Sequence, residues 1–192
     1  MTLEPRLDPD EIEFLRNHIS TVPPGTKMVE WGSGGSTLMF LPYFTDGKFV
    51  SIEHNREWYD KVNAAIETAD IPAAALRNFS YCWRPPSHDN GLVDLRFYGY
   101  GVPFEENPCF AADYINPESS GIHIFDADIF FVDGICRGAV LATIYARSTN
   151  PDAIVYVHDY YGPGRRESWY NWASGLYKRV EKVGSTLARL YL

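Results

Sequence analysis

Short apolar runs alternate with longer amphipathic segments along most of the chain. Runs such as KMVEW, KFVSIE and DIFFVD have the length of strands buried inside a sheet. Between them, segments such as NREWYDKVNAAIETAD repeat apolar residues at helical spacing, and one such stripe contains Trp58, Val62, Ile66 and Ala69. The alternation predicts an α/β fold, with a doubly wound, mostly parallel sheet and helices on both faces.

The two ends of the chain carry boundary signals. Asp8 and Pro9 predict the start of a helix whose apolar face contains Ile12, Leu15 and Ile19. The last segment, YKRVEKVGSTLARLYL, alternates on either side of Gly-Ser and predicts a C-terminal antiparallel hairpin. We interpret ALRNFSYCW as a further strand, and RGAVLATIYAR and ESWYNWASGLY as helices.

One part of the chain does not follow the alternation. Residues 84–122 are rich in proline and aromatic side chains, and they are predicted to form an irregular insertion with a short helix near CFAADYI. Loops of this length without secondary structure are usually functional or disordered. A chain of 192 residues has the size of one ordinary domain, so we expect residues 1–192 to form a single domain.

The charge, the apolar runs and the cysteine content of the chain limit the kinds of partner that it is expected to bind. The net charge of −8 opposes binding to a phosphate backbone, so no nucleic-acid partner is expected. No apolar run is long enough to cross a bilayer and no secretory signal is visible, so we expect a cytoplasmic protein without a membrane partner. Three cysteines without a CxxC motif predict neither a disulfide framework nor a zinc ribbon. A homodimer is left open.

The predicted strands share a feature at their carboxyl ends. Each ends in a polar side chain: Glu30, Glu53, Asp133, and His158 with Asp159. Ligands of open parallel sheets bind outside the carboxyl ends of the strands. The sequence therefore predicts one crevice lined by these groups.

The turn GSGGS after Glu30 allows several interpretations. It is an incomplete dinucleotide fingerprint, because Thr37 stands where the third glycine belongs, and it would then indicate an NAD(P)-dependent oxidoreductase. It is also compatible with a tight strand-to-helix connection that binds nothing. A carboxylate just before the first glycine, Gly32, favours a ligand that is cationic or donates hydrogen bonds over a pyrophosphate.

The pattern E-x-G-x-G-G resembles the first motif of class I S-adenosylmethionine-dependent methyltransferases, and the resemblance extends along most of the chain. It implies a Rossmann-like sheet, S-adenosyl-L-methionine as the cofactor, and Glu53 as the residue that binds the ribose. Two carboxylate oxygens suit a vicinal diol, since each hydroxyl donates one hydrogen bond. The cofactor-binding residues implied in this way are Glu30, Gly32, Ser33, Gly34, Ser36, Thr37, Glu53, His54, Asn55, Cys82 and Asp133.

Methyl transfer to a hydroxyl requires alignment of the reactants and removal of a proton. Asp133, His158 and Asp159 are the catalytic candidates, with His158 or Asp133 as the base. Alternatively, Asp133 and Asp159, with or without His158, would hold Mg²⁺ or Mn²⁺ against the acceptor oxygen. The structural alternatives are that Asp133 caps a helix and that His158 and Asp159 form a hydrogen-bonded pair.

The acceptor side has its own candidates. Arg137, Arg165 and Arg166 are cations suited to a carboxylate or phosphate on the acceptor, although for Arg165 and Arg166 a plain solvated pair is the favoured alternative. The second half of the chain also resembles the glucuronoxylan methyltransferase-like O-methyltransferases. That resemblance implies methylation of a hydroxyl on a saccharide or another small molecule. A non-catalytic S-adenosylmethionine-binding module is the remaining alternative.

Overall fold

The computed structural model describes residues 3–86, 111–120, 123–161 and 167–192. Its seven strands are β1 Lys27–Trp31, β2 Lys48–Glu53, β3 Phe79–Trp83, β4 Ile129–Val132, β5 Ile154–Val157, β6 Arg179–Val183 and β7 Leu187–Tyr191. The helices are α1 Pro9–Ser20, α2 Gly35–Phe40, α3 Arg56–Thr68, α4 Ala73–Arg77, α5 Ala112–Ile115, α6 Arg137–Arg147 and α7 Glu167–Ser174.

The strands form one mixed sheet in the order β3-β2-β1-β4-β5-β7-β6. The first five strands in this order run parallel to one another, and β7 pairs antiparallel with both β5 and β6. The predicted parallel sheet and its C-terminal antiparallel hairpin are therefore confirmed. β1 and β4 lie side by side although they are distant in sequence, and such a switch point is where open α/β sheets bind ligands.

Helices cover both faces of the sheet, as the alternating pattern predicts. On one face Trp31 and Val132 pack with Leu141 of α6, and on the other Phe131 packs with Leu15 of α1. Successive residues of a strand point to opposite faces. The central strands β4 and β5 are therefore apolar in nearly every position.

The third predicted strand differs from the structure at its start. ALRNFSYCW was interpreted as all strand, but Ala73–Arg77 form α4, and only Phe79–Trp83 pair with β2. Alanine, leucine and arginine are strong helix formers, and Pro72 directly precedes the first turn. Residues 73–77 do not pair with a neighbouring strand, so their helix propensity determines their secondary structure.

The predicted insertion is only partly described, because residues 87–110 and 121–122 lie outside the described residues. The predicted short helix is present as α5, and a 3₁₀ turn follows at Pro117–Ser120. The indole Nε1 of Trp31 donates to the backbone oxygen of Tyr114 at 2.8 Å, which ties α5 to the end of β1. Across the described ranges, no helix has the length and apolar character that a membrane span needs.

An acidic side chain fixes α1 to the C-terminal hairpin. Glu11 is fully buried, and its Oε1 accepts hydrogen bonds from Thr186 N at 2.6 Å and Leu187 N at 2.8 Å. Thr186 Oγ1 also donates to Oε1 at 2.9 Å. A helix residue that looks like an ordinary first-turn acid thus holds the turn between β6 and β7.

Candidate active site

The glycine turn brings the main chains of β1 and β4 into contact. Gly32 has φ +89, in the region that favours glycine. A Cβ at this position would lie 2.5 Å from Gly134 N and 2.8 Å from the carbonyl carbon of Asp133. Gly32 is therefore required both for the turn and for the close approach of the two strand ends at the switch point.

Glu30 supports this turn from below. Its side chain is 0% exposed, and three hydroxyls donate to it at 2.6 Å: Ser36 to Oε1, and Thr37 and Ser51 to Oε2. Thr37 Oγ1 also accepts from Gly34 N at 2.9 Å, so the carboxyl group is connected to the turn itself. Burial raises the pKa of Glu30 to about 7, although the three hydroxyls oppose the shift. The protein's own hydroxyls thus contact Glu30, where the sequence suggested a ligand.

Glu53 closes β2 and is also buried, yet it remains anionic. Its Oε2 accepts from Ser33 N and Ser33 Oγ, both at 3.0 Å, and its Oε1 accepts from His54 N at 2.9 Å and Asn55 N at 2.7 Å. Burial opposes ionisation, but the imidazole of His54 and these donors outweigh it and lower the pKa of Glu53. His54 Nδ1 lies 2.9 Å from Oε1 but forms no aligned hydrogen bond, so that attraction is electrostatic.

Ser33 has a second partner. Its hydroxyl lies 2.6 Å from Tyr81 Oη, and its backbone oxygen accepts from Trp58 Nε1 at 2.5 Å. The Tyr81 ring stacks on Tyr59 with centroids 4.2 Å apart. Ser33 Oγ can therefore give up its hydrogen bond to Glu53 and keep the one to Tyr81. Another donor could then take its place on Glu53 Oε2.

A second group of charged residues lies at the ends of β4 and β5. Asp133 Oδ1 is 2.7 Å from His158 Nδ1 and 3.2 Å from Arg137 Nη2. Arg137 also donates to the backbone oxygens of Gly134 at 2.9 Å and His158 at 2.7 Å. Arg137, predicted to bind the acceptor, is thus held by the strand ends it joins.

The environment of His158 favours its protonated form. Burial lowers its pKa, but the hydrogen bond to Asp133 and the charges of Asp133 and Asp159 outweigh burial, so the pKa of His158 is raised. Its Nε2 lies 3.8 Å from Asp159 Oδ1 and 3.9 Å from Glu11 Oε2. His158 therefore forms its hydrogen bond with Asp133, while Asp159 lies at ion-pair distance from the other ring nitrogen. Asp133 does not cap the following helix, because the N-cap of α6 is Cys136.

The same cluster contains the donor types of a divalent-metal site. Asp133, His158 and Asp159 each offer a ligand atom, and the three atoms lie within 4.8 Å of one another. However, the Arg137 guanidinium lies 3.2 Å from Asp133 Oδ1 and 3.6 Å from Asp159 Oδ2, where it already supplies positive charge. A divalent cation does not fit this arrangement unless Arg137 is displaced.

The remaining predicted site residues are placed as follows. The Asn55 side chain accepts from Trp58 N at 2.9 Å and caps α3. Cys82 is a buried member of the core beside β2, and burial raises the pKa of its thiol. Arg165 and Arg166 lie outside the described residues.

Sequence reasoning missed two buried polar side chains at the site. Tyr114, in α5, is 0% exposed and lies against Gly134, while Glu11 approaches His158 from α1. Tyr114 falls in the segment without a readable pattern, so no periodicity marked it. Glu11 stands in the first turn of a helix, a common position for an acid, and only the hairpin that covers it makes it part of the site.

Comparison with known proteins defines the class of fold. No protein-family model matches the chain, and no curated protein matches it. Among solved structures, a methyltransferase-like protein from Silicibacter pomeroyi DSS-3 superposes with a TM-score of 0.71 at 19% identity, covering 99% of this chain and 88% of that chain. The cofactor-bound protein Rv0187 from MTB gives a TM-score of 0.60 at 12% identity, covering 98% and 83%.

A third similar structure is a precorrin-6y C5,15-methyltransferase from Geobacter metallireducens GS-15, with a TM-score of 0.56 at 10% identity and coverage of 97% and 90%. Identities this low establish the fold alone. The chain therefore has the fold of class I S-adenosylmethionine-dependent methyltransferases, as the sequence resemblance predicted.

Proposed function

We propose that the protein transfers a methyl group from S-adenosylmethionine to a hydroxyl of a saccharide or another small-molecule acceptor. The observation that carries the proposal is the Asp133–His158 pair, 2.7 Å apart, on the strand ends next to the glycine turn. The turn and Glu53 offer a site for the methyl donor, and the pair offers a site for a proton. Both lie at the edge of the sheet where this fold class binds ligands.

Glu53 and Ser33 are suited to the ribose of the methyl donor. A ribose hydroxyl would take the place of Ser33 Oγ on Glu53 Oε2, while Ser33 keeps its contact with Tyr81. The lowered pKa of Glu53 keeps the carboxylate ionised and able to accept a hydrogen bond from the hydroxyl. Glu30 would act indirectly, by holding Thr37 and the turn in place.

In its neutral form, His158 would take the proton of the acceptor hydroxyl at Nε2. Asp133, on Nδ1, orients the imidazole and stabilises the imidazolium, as a carboxylate does beside a catalytic histidine. When bound, S-adenosylmethionine supplies a methyl group on a sulfonium, so the protein's task is alignment and proton removal. Arg137 fixes the spacing of the two strand ends.

Binding is tested first. Calorimetry with S-adenosylhomocysteine and, separately, with NAD⁺ should show binding of the former only. Binding of NAD⁺ alone would support an oxidoreductase and contradict the proposal. The protein should then be incubated with methyl-labelled S-adenosylmethionine and panels of saccharides, phenols and small hydroxy acids, with an RNA pool as a further arm.

The role of the pair is tested by Asp133→Asn and His158→Gln. Both should retain S-adenosylhomocysteine binding and lose methyl transfer by about a hundredfold or more. The matched control is Asp126→Asn, an exposed acid paired with Lys27 at the other end of the sheet, which should behave as wild type. Full transfer in the Asp133 or His158 variant would refute the assignment. Activity abolished by EDTA and restored by Mn²⁺ would support a metal in place of Arg137.

A further inference from the structure

The hydroxyl of Tyr114 is a buried polar group without a protein partner. Tyr114 is 0% exposed, and its Oη makes no hydrogen bond with any described residue. Buried hydroxyls nearly always have a partner, and leaving one unpaired costs about 1–3 kcal/mol. A functional reason is therefore needed for a tyrosine, where phenylalanine would fill the same space.

The fold holds this hydroxyl at the switch point of the sheet. A Cβ at Gly134 would come within 1.7 Å of Tyr114 Oη and 3.1 Å of Gly32 N, so the oxygen rests on the junction of β1 and β4. A hydrogen bond from Trp31 Nε1 to the backbone oxygen of Tyr114 holds the main chain of Tyr114, and so helps to fix the position of its side chain. The neighbouring Asp133 side chain is 23% exposed, so the surface of the crevice begins one residue from the hydroxyl.

The electrostatic surroundings indicate what the hydroxyl contacts. Burial first, and then the neighbouring Glu53, Cys136 and Asp133, raise the pKa of Tyr114 well above its ordinary value. The positive charge of Arg137 opposes this shift without cancelling it, so the phenol stays neutral. The ring also meets His54 edge-on, with centroids 5.4 Å apart. A neutral oxygen in a region of negative potential is suited to accept a hydrogen bond from a cation.

We propose that Tyr114 Oη accepts a hydrogen bond from the ammonium group of the methyl donor, at the amino-acid end of the molecule. The inference rests on the proposed function and adds a binding residue that the glycine turn and Glu53 do not supply. Gly134 is then glycine because a side chain there would displace the hydroxyl.

The test compares two ligands that differ at the amino-acid end. S-adenosylhomocysteine carries the ammonium group, whereas 5′-methylthioadenosine has the same adenosine and thioether but lacks the amino acid. Tyr114→Phe should weaken S-adenosylhomocysteine by about tenfold or more, as expected for a hydrogen bond to a charged group, and leave 5′-methylthioadenosine unchanged. Without ligand, its melting temperature should equal or exceed that of wild type.

Tyr177→Phe is the matched control. Tyr177 is also buried, but its hydroxyl donates to Leu141 O at 2.8 Å, away from the strand ends. Its loss should lower the melting temperature and leave both dissociation constants unchanged. Equal affinities of Tyr114→Phe and wild type for S-adenosylhomocysteine would overturn the inference alone, as would equal weakening of both ligands. If wild type binds neither ligand, the proposed function fails as well.

Discussion

Glu30→Gln tests the interpretation of the buried glutamate beneath the glycine turn. The carboxyl group is fully buried, and its folded-state pKa is about 7 against an ordinary value of 4.5. At 1.36 kcal/mol for each pH unit of difference, the ionised carboxylate costs the folded state about 3 kcal/mol. Glutamine cannot ionise, and its amide offers an oxygen and an NH₂ group to the same hydroxyls.

The sign of the effect follows from the direction of the shift. The folded state holds the proton of Glu30 more tightly than the unfolded chain does, so the stabilisation is complete below pH 4.5 and is lost as the pH rises through about 7. The free energy of unfolding of Glu30→Gln relative to wild type should therefore increase by about 3 kcal/mol between pH 4.5 and pH 8. Other titrating groups cancel in this difference.

Urea denaturation at several pH values measures that difference directly. Glu13→Gln is the control, because Glu13 lies on the exposed face of α1 and the substitution makes the same chemical change outside the buried site. A constant difference for Glu30→Gln would show that the carboxyl group does not titrate in this range. A difference that falls with pH would show that the three hydroxyls stabilise the carboxylate more than burial destabilises it.

Three further predictions concern neighbouring parts of the site. Gly32→Ala should lower the free energy of unfolding by more than about 2 kcal/mol and abolish ligand binding, because its Cβ would clash with the backbone that follows β4. Gly25→Ala is the control, since Gly25 has φ +84 but lies in open space, and it should lose only about 1 kcal/mol. Urea denaturation measures the stabilities and calorimetry the binding. The acid limb of kcat/KM should have an apparent pKa above 6.5, from His158, and Asp133→Asn should move it down; an unmoved limb would remove His158 as the base. Glu11→Ala should cost about 3 kcal/mol in chemical denaturation, since several donors of the hairpin turn lose a buried charged acceptor; a loss below about 1 kcal/mol would contradict this.

Local patterns were sufficient to predict most of the fold. Helix α3 is buried on one face, which gives the stripe around Val62 and Ile66, and β4 is buried on both faces, which gives its continuous apolar run. Both kinds of burial are visible in the spacing of apolar residues. The hairpin was equally readable from its turn. Ala69 was the exception in its stripe, because α3 ends at Thr68 and Ala69 is exposed.

The candidate site was predictable only in part, because a sequence shows which groups reach a strand end but not which of them pair. Glu30 and Glu53 are both glutamates near the carboxyl ends of neighbouring strands, yet the pKa of Glu30 is raised to about 7 and the pKa of Glu53 is lowered. Burial raises the pKa of both carboxyl groups, and the difference is what opposes it. The hydroxyls around Glu30 do not outweigh burial, whereas the His54 imidazole and the backbone N–H of Asn55 do so at Glu53. None of these pairings has a signature in residue spacing.

Exchangeable contacts distinguish the residues that can receive a ligand from those that only shape the site. The hydroxyl donors of Glu30 lie inside the fold, and releasing them would leave a buried carboxylate unpaired, at a cost no ligand contact would recover. Glu53 can release Ser33 Oγ, because Tyr81 lies 2.6 Å from that hydroxyl. Tyr114 has no protein partner to release among the described residues, so a ligand group that meets its hydroxyl gains a hydrogen bond without breaking one. By this criterion the ligand-binding surface that we propose runs from Glu53 to Tyr114 across the end of β1, with Glu30 as its support.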